Sequence, residues 1–153
     1  MKRGPKAGHR KVAPVPEIIV LSRQDAEVYE PRGREICISI FDPEAEPARI
    51  SPGFASVLRL SFDDVIEMGA PTDILFARDH ATSIIHFIEA WPSAERVVIH
   101  CNMGVSRSPG VALGLCDMHG WATAELERSH PGWNRLVRSV MNEIAETDRG
   151  HIA

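Results

Sequence analysis

V97-V98-I99-H100-C101-N102-M103-G104-V105-S106-R107-S108-P109-G110-V111-A112-L113-G114-L115 is the stretch that decides the fold. It opens as a short apolar β-branched run, which reads as a strand buried in a parallel sheet. A small glycine-containing loop follows. From about Arg107 the apolar residues Val111, Leu113, Leu115 and Met118 are dense enough for a helix buried on most sides, with Gly120 as its stop. The unit is strand, loop, helix, with a cysteine at the first loop position and an arginine six residues later.

That arrangement suits oxyanion chemistry. A loop of about five residues feeding a helix N-terminus turns several backbone N–H groups toward one point, where the helix dipole also favours negative charge. Arg107 supplies a planar, two-pronged donor matched to phosphate oxygens. Cys101, at the strand end, faces the same field, which favours its thiolate. A thiolate beneath an oxyanion cradle is an activated nucleophile for phosphoryl transfer.

His100-Cys101-(five residues)-Arg107-Ser108 resembles closely the signature of the protein tyrosine phosphatase superfamily. A Cys and an Arg at this spacing are common by chance, but requiring His100, Gly104 and Ser108 as well brings the chance to about one in ten thousand. The resemblance implies a four-stranded, mainly parallel α/β sheet flanked by helices on both faces. It covers the catalytic loop strongly and the first fifty residues only loosely.

With 153 residues, 44% hydrophobic and 25% charged, the chain reads as one globular domain over 15–153. No apolar run is long enough to span a bilayer, and no stretch resembles a secretory signal. The net charge of −4 hides an asymmetry. Lys2, Arg3, Lys6, Arg10 and Lys11 fall in a tail without acids, expected to be flexible and solubilising over residues 1–14, so the remainder is strongly acidic. Cys37, Cys101 and Cys116 show no metal-ligand spacing, nor do His80, His86, His119 and His130. A nucleophilic thiol needs a reducing compartment, so the expected location is cytoplasmic.

In chain order, Ile18–Leu21 reads as a strand buried on both faces, and Ser22 caps a short helix to Tyr29, stopped by Pro31 and Gly33. Residues 34–40 alternate as a second strand, and an acid- and proline-rich loop runs to Pro52. Residues 57–62 form a third strand, Arg78 to Trp91 a helix with Ala81, Ile84, Ile85 and Ile88 inward, and Val97–Ile99 the fourth strand. A short helix at 122–128, a turn at His130-Pro131-Gly132 and an amphipathic helix over 134–145 complete the domain. Strands separated by helices imply parallel crossovers, with ligands at the carboxyl ends of the strands.

Expulsion of an alkoxide or phenoxide calls for a positioned acid. The superfamily uses an upstream Asp on a mobile loop, and compact bacterial and dual-specificity-like members end the preceding strand in a similar apolar-x-Phe-x-Asp pattern. Asp64 is accordingly taken as the acid, ahead of Asp63, with Asp42 as the third candidate; the other member of the pair caps the following turn. The loop residues Asn102, Met103, Gly104, Val105 and Ser106 join Arg107 as phosphate-binding residues. His100 orients the loop. Ser108 resembles the family's hydroxyl residue after the Arg, donating to sulfur or capping the helix. Asn134 resembles a late Pro-Asn position expected to be a structural link. Cys116 is expected to be inert, and Cys37 is a candidate for a regulatory disulfide with Cys101. Trp91, Trp121 and Trp133 are read as packing residues.

The resemblance thus implies a phosphomonoester hydrolase working through a phosphocysteine, needing no metal or other cofactor. Its substrate is expected to be a phosphorylated protein, phosphotyrosine foremost, or a small phosphomonoester, with no nucleic-acid or membrane partner. Three rivals stand beside it. One is a phosphatase for a phosphoinositide, nucleotide or RNA end, against which N-M-G-V-S carries no second cation. Another is a phosphate- or phosphoprotein-binding module without turnover. The third is a redox or arsenate-reducing thiol protein, for which Cys116 is poorly placed.

Overall fold

In the computed structural model, which describes residues 14–152 and the side chains of 14–147, four strands lie in the order β1-β4-β2-β3, every neighbouring pair parallel. The elements run β1 (Glu17–Leu21), α1 (Arg23–Val28), β2 (Glu35–Phe41), β3 (Ser56–Ser61), α2 (Arg78–Ala90), β4 (Arg96–His100), α3 (Arg107–His119), α4 (Ala124–Ser129) and α5 (Arg135–Ile152). The basic tail lies outside the described residues, save Pro14.

Two strands exchange the roles that their sequences predict. Ile18–Leu21 is apolar throughout, yet β1 is an edge strand and only half-buried. β2 looks alternating but is central and buried on both faces. Its Ile36, Ile38 and Ile40 join the main core, while Cys37 meets Val98 and Phe54 on the opposite face. Even Glu35 is fully buried at its start, held by the Tyr29 hydroxyl, the Arg32 amide and the Arg96 guanidinium. Burial alone would raise its pKa, but these donors together hold the carboxyl below the usual range.

The two faces of the sheet are unequally covered. The main cluster packs Ile38, Ile40, Leu60, Phe62 and Ile99 against α2, α3 and α5. The second face carries the smaller cluster of Cys37, Phe54 and Val98, roofed by Ile50 and Tyr29 rather than by a long helix. At the crossover end of α1, Ser22 accepts the Asp25 N–H, the cap its sequence predicts.

α3 is buried from Arg107 to Cys116 and ends at Gly120 in the left-handed conformation (φ 72°). It can be central because α5 approaches it across glycines. A Cβ on Gly110 would lie 2.8 Å from the Asn134 carbonyl oxygen, and one on Gly114 would lie 2.7 Å from Met141 Cβ. The same helices are pinned laterally where Arg138 clasps Asp117 through Nε (2.7 Å) and Nη2 (2.9 Å), with Glu127 of α4 on Nη1.

Gly114→Ala is expected to lower unfolding free energy by about 1–3 kcal/mol through overpacking at this seam. Combining it with Met141→Gly, which removes the Cβ that the new methyl would meet, should cost less than the two single changes added together, so urea denaturation across the double-mutant cycle should give a favourable coupling energy.

Candidate active site

Parallel register brings three strand ends to one level. Leu21 of β1 and Ser39 of β2 flank His100 of β4 from either side. The chain leaves β4 at Cys101 and must turn beneath the start of α1, and Gly104 makes the turn possible. Its φ is 76°, and a Cβ there would sit 2.8 Å from the Leu21 carbonyl carbon and the Ser22 nitrogen. The Arg23 N–H donates to the Asn102 carbonyl at 3.0 Å, tying the loop to α1.

The sulfur of Cys101 is buried in this turn. The Gly104 N–H points at Sγ from 3.3 Å, and the Ser108 hydroxyl lies 3.1 Å from it. Behind the sulfur, His100 Nδ1 is 3.1 Å from the Cys101 carbonyl, which can only accept, so Nδ1 carries the proton. In the neutral ring, Nε2 then accepts the Ser39 hydroxyl at 2.6 Å. Burial, opposed only in part by that carbonyl, keeps the His100 pKa below the ordinary imidazole value. Both ring nitrogens are thus held by the protein, one by the Cys101 carbonyl and the other by the Ser39 hydroxyl.

Arg107 opens α3 and is almost wholly buried. Its Nη1 donates to the Phe62 carbonyl at 2.9 Å and stands 2.7 Å from Asp42 Oδ1. Nε, equally buried, has no hydrogen-bond partner among the described residues. An orphaned donor on a buried cation calls for an anionic acceptor.

The three candidate acids occupy different positions. Asp64 Oδ1 accepts the Ser106 hydroxyl at 2.7 Å and the Asn134 amide at 3.0 Å, so Asp64 bridges the cysteine loop and the start of α5. The Asp63 carboxylate accepts the Ile74 N–H at 2.8 Å and its own N–H donates to the Ile74 carbonyl, which closes the intervening loop. Asp42 is the ion partner of Arg107. Asn134 is a link, as expected: its amide also reaches the Val65 carbonyl, and its oxygen accepts the Val137 N–H.

One expectation needs correction. Cys37 is level with Val98, three residues before Cys101, and packs on the opposite face of the sheet. Three residues of strand are about 10 Å, beyond disulfide reach. Burial also pushes the Cys37 thiol up to about 12, and burial with Asp117 pushes Cys116 up to about 11, so both are poor nucleophiles. Trp91 and Trp121 pack on the core, and Trp133 packs beneath the Arg138 guanidinium (5.3 Å), where it also walls a groove of about 430 Å³ with Asp64, Ser106 and Asn134.

Sequence reading does not reach Ser39, the Phe62 carbonyl or the pairing of Asp42 with Arg107. Each lies far along the chain from the loop it serves, and only the strand order brings it there.

A sheet, loop and helix so arranged are the fold of the protein tyrosine phosphatase superfamily. Among solved structures, the chain is similar to human DUSP28, with TM-score 0.63 and 18% identity over 90% of this chain and 96% of that one. It is similar also to human tyrosine phosphatase-like serine/threonine/tyrosine-interacting protein (0.52, 18%, 79% and 80%). A third is PTPMT1 in complex with PI(5)P (0.51, 20%, 78% and 81%). No family model and no curated protein sequence matches the chain.

The neutral, buried His100 has a consequence for stability. Below about pH 6.5 the unfolded chain binds a proton that the folded ring resists, so stability falls as pH drops. His80, whose pKa burial also lowers, acts in the same direction. The unfolding free energy from urea titrations should therefore decline from pH 7 to 5, by at most about 1.4 kcal/mol per pH unit per histidine. His100→Gln should make that decline shallower.

Proposed function

We propose that the chain is a cysteine-dependent phosphomonoester hydrolase acting on protein phosphotyrosine or, as a dual-specificity enzyme, on related phosphoesters. The observation that carries this reading is the buried Arg107 with its unanswered Nε, set at the start of α3 directly after the loop whose Gly104 amide points at the Cys101 sulfur. Among the described residues, no helix is long and apolar enough to cross a membrane. A nucleophilic thiol with two further free cysteines fits a reducing, cytoplasmic compartment.

In the proposed reaction, the Cys101 thiolate attacks phosphorus while Arg107 and the amides of 102–106 hold the equatorial oxygens. The bond from phosphorus to the leaving oxygen breaks, and Asp64 gives that oxygen its proton. Water then attacks the phosphocysteine, Asp64 takes its proton, and the S–P bond breaks. The Ser108 hydroxyl, within hydrogen-bond distance of sulfur, stabilises the departing thiolate. Asp64 is favoured over Asp63 because the latter's carboxylate is committed to the Ile74 amide. Asp42 fits better as the group that positions Arg107. The absence of cations in N-M-G-V-S favours an aryl phosphoester over a polyanionic headgroup.

Cys101→Ser should abolish turnover of an aryl phosphate while retaining phosphate or vanadate binding. Asp64→Asn should cost about 10²- to 10⁴-fold in kcat and Asp63→Asn far less. Full activity in Cys101→Ser rejects the scheme, and vanadate binding without any turnover by the unaltered chain would favour a binding module.

A further inference from the structure

The surface around the candidate active site is unusual for this chain. Among the described residues, seven large apolar side chains are exposed, and five of them, Ile66, Met68, Ile74, Met103 and Val105, sit on the two loops that carry Asp64 and Cys101. Met103 and Val105 are 68% and 54% exposed and Met68 is 58% exposed, although the loop backbone between 101 and 107 is tightly held. The Ser106–Asp64 hydrogen bond joins these two loops; Ile66 lines the groove with Asp64 and Ser106, and Met103 lines a neighbouring one with Ser22, Arg23 and Glu27. Exposed apolar side chains gathered in this way mark a recognition surface rather than scattered surface residues.

Charge says which occupant fits. The cleft beside Asp42, about 440 Å³, is lined by Asp42, Glu44, Asp63 and Asp73, and the groove on the other side of Asp64 is lined by Glu67 together with Arg135. Within the loop from Cys101 to Arg107, Arg107 is the only cationic residue, and it already faces Asp42. Such a rim attracts one phosphoryl group and repels further negative charge around it.

We infer that the substrate is a protein segment whose phosphotyrosine is flanked by apolar and basic residues, with the apolar neighbours resting on the Ile66–Met68 and Met103–Val105 rims and the basic ones facing the carboxylates. This deepens the phosphatase reading and rests on it. The rim selects against acidic flanks by like-charge repulsion and against an anionic lipid surface for the same reason.

The test is kcat/KM for the unaltered chain on phosphotyrosine peptides of equal length with apolar–basic, serine–glycine or acidic flanks. An aryl phosphate and an anionic lipid phosphomonoester in vesicles are measured in parallel. The apolar–basic peptide should exceed the acidic one by about tenfold or more. In Ile66→Ser combined with Met68→Ser, the ratio of the apolar–basic to the serine–glycine peptide should collapse toward one. Glu44→Lys with Glu67→Lys, both at exposed positions, should shift the preference toward acidic flanks. Equal turnover of the three peptides, a preference for acidic flanks, or faster turnover of the vesicle lipid overturns the inference. Equilibrium binding of the same peptides to Cys101→Ser separates the two claims. A flank preference in binding with no turnover by the unaltered chain sinks the hydrolase reading and leaves the recognition surface standing.

Discussion

A guanidinium buried as deeply as that of Arg107 has to be answered from several directions at once, and the answers come from separate parts of the chain. Phe62, at the end of β3, lends a carbonyl, and Asp42, just past β2, lends a carboxylate. Neither is a neighbour of Arg107 in sequence. They meet it because the strand order places β2 beside β4 and β3 beyond it, all ending at the same edge of the sheet. Removing a buried cation from water is costly unless its donors are met. The fold therefore keeps Arg107 in place with two of its own acceptors, while Nε has no partner among the described residues.

The same edge explains why the loop can be short. Cys101 to Ser106 must turn within the space between the end of β1 and the start of α3, and Gly104 is the residue that the approach of Leu21 and Ser22 permits. His100 completes the brace from below, its tautomer set by one carbonyl and its other nitrogen met by Ser39. None of these contacts needs a ligand to form them. The cradle is shaped in advance, which is what makes fixed dipoles effective on an anion.

What could be read in the sequence follows the range of the interactions involved. The strand, loop and helix around Cys101 are local, and their periodicity and glycines give them away. Ser22 as a helix cap is equally local. The misread strands fail for the opposite reason. Whether Ile18–Leu21 is central or at an edge depends on which strands lie beside it, and β2 is buried on both faces only because the 42–55 segment folds over Cys37. Ser39 carries no local signal, and the pairing of Asp42 with Arg107 and the placing of Trp133 beside Asp64 depend on contacts distant in sequence. Of the aspartates, the sequence presents an adjacent pair, and only the closure of the loop by Ile74 separates a committed carboxylate from one that faces the cysteine loop.

The packing of α5 reaches the site through Asn134. Gly110 and Gly114 let the helix lie close on α3, and that distance sets where Asn134, at its first turn, meets both Asp64 and the Val65 carbonyl. Asp64 is consequently positioned by a helix anchored in the core rather than by its own loop. A loop relieved of holding its carboxylate is free to vary elsewhere along its length. Ile66 and Met68 can be exposed because the contacts that fix the loop are made beside them, at Asp63, Asp64, the Val65 carbonyl, Gly69, Ala70, Asp73 and Ile74. The residues that anchor this loop to the core and those that it presents to the surface are thus different ones.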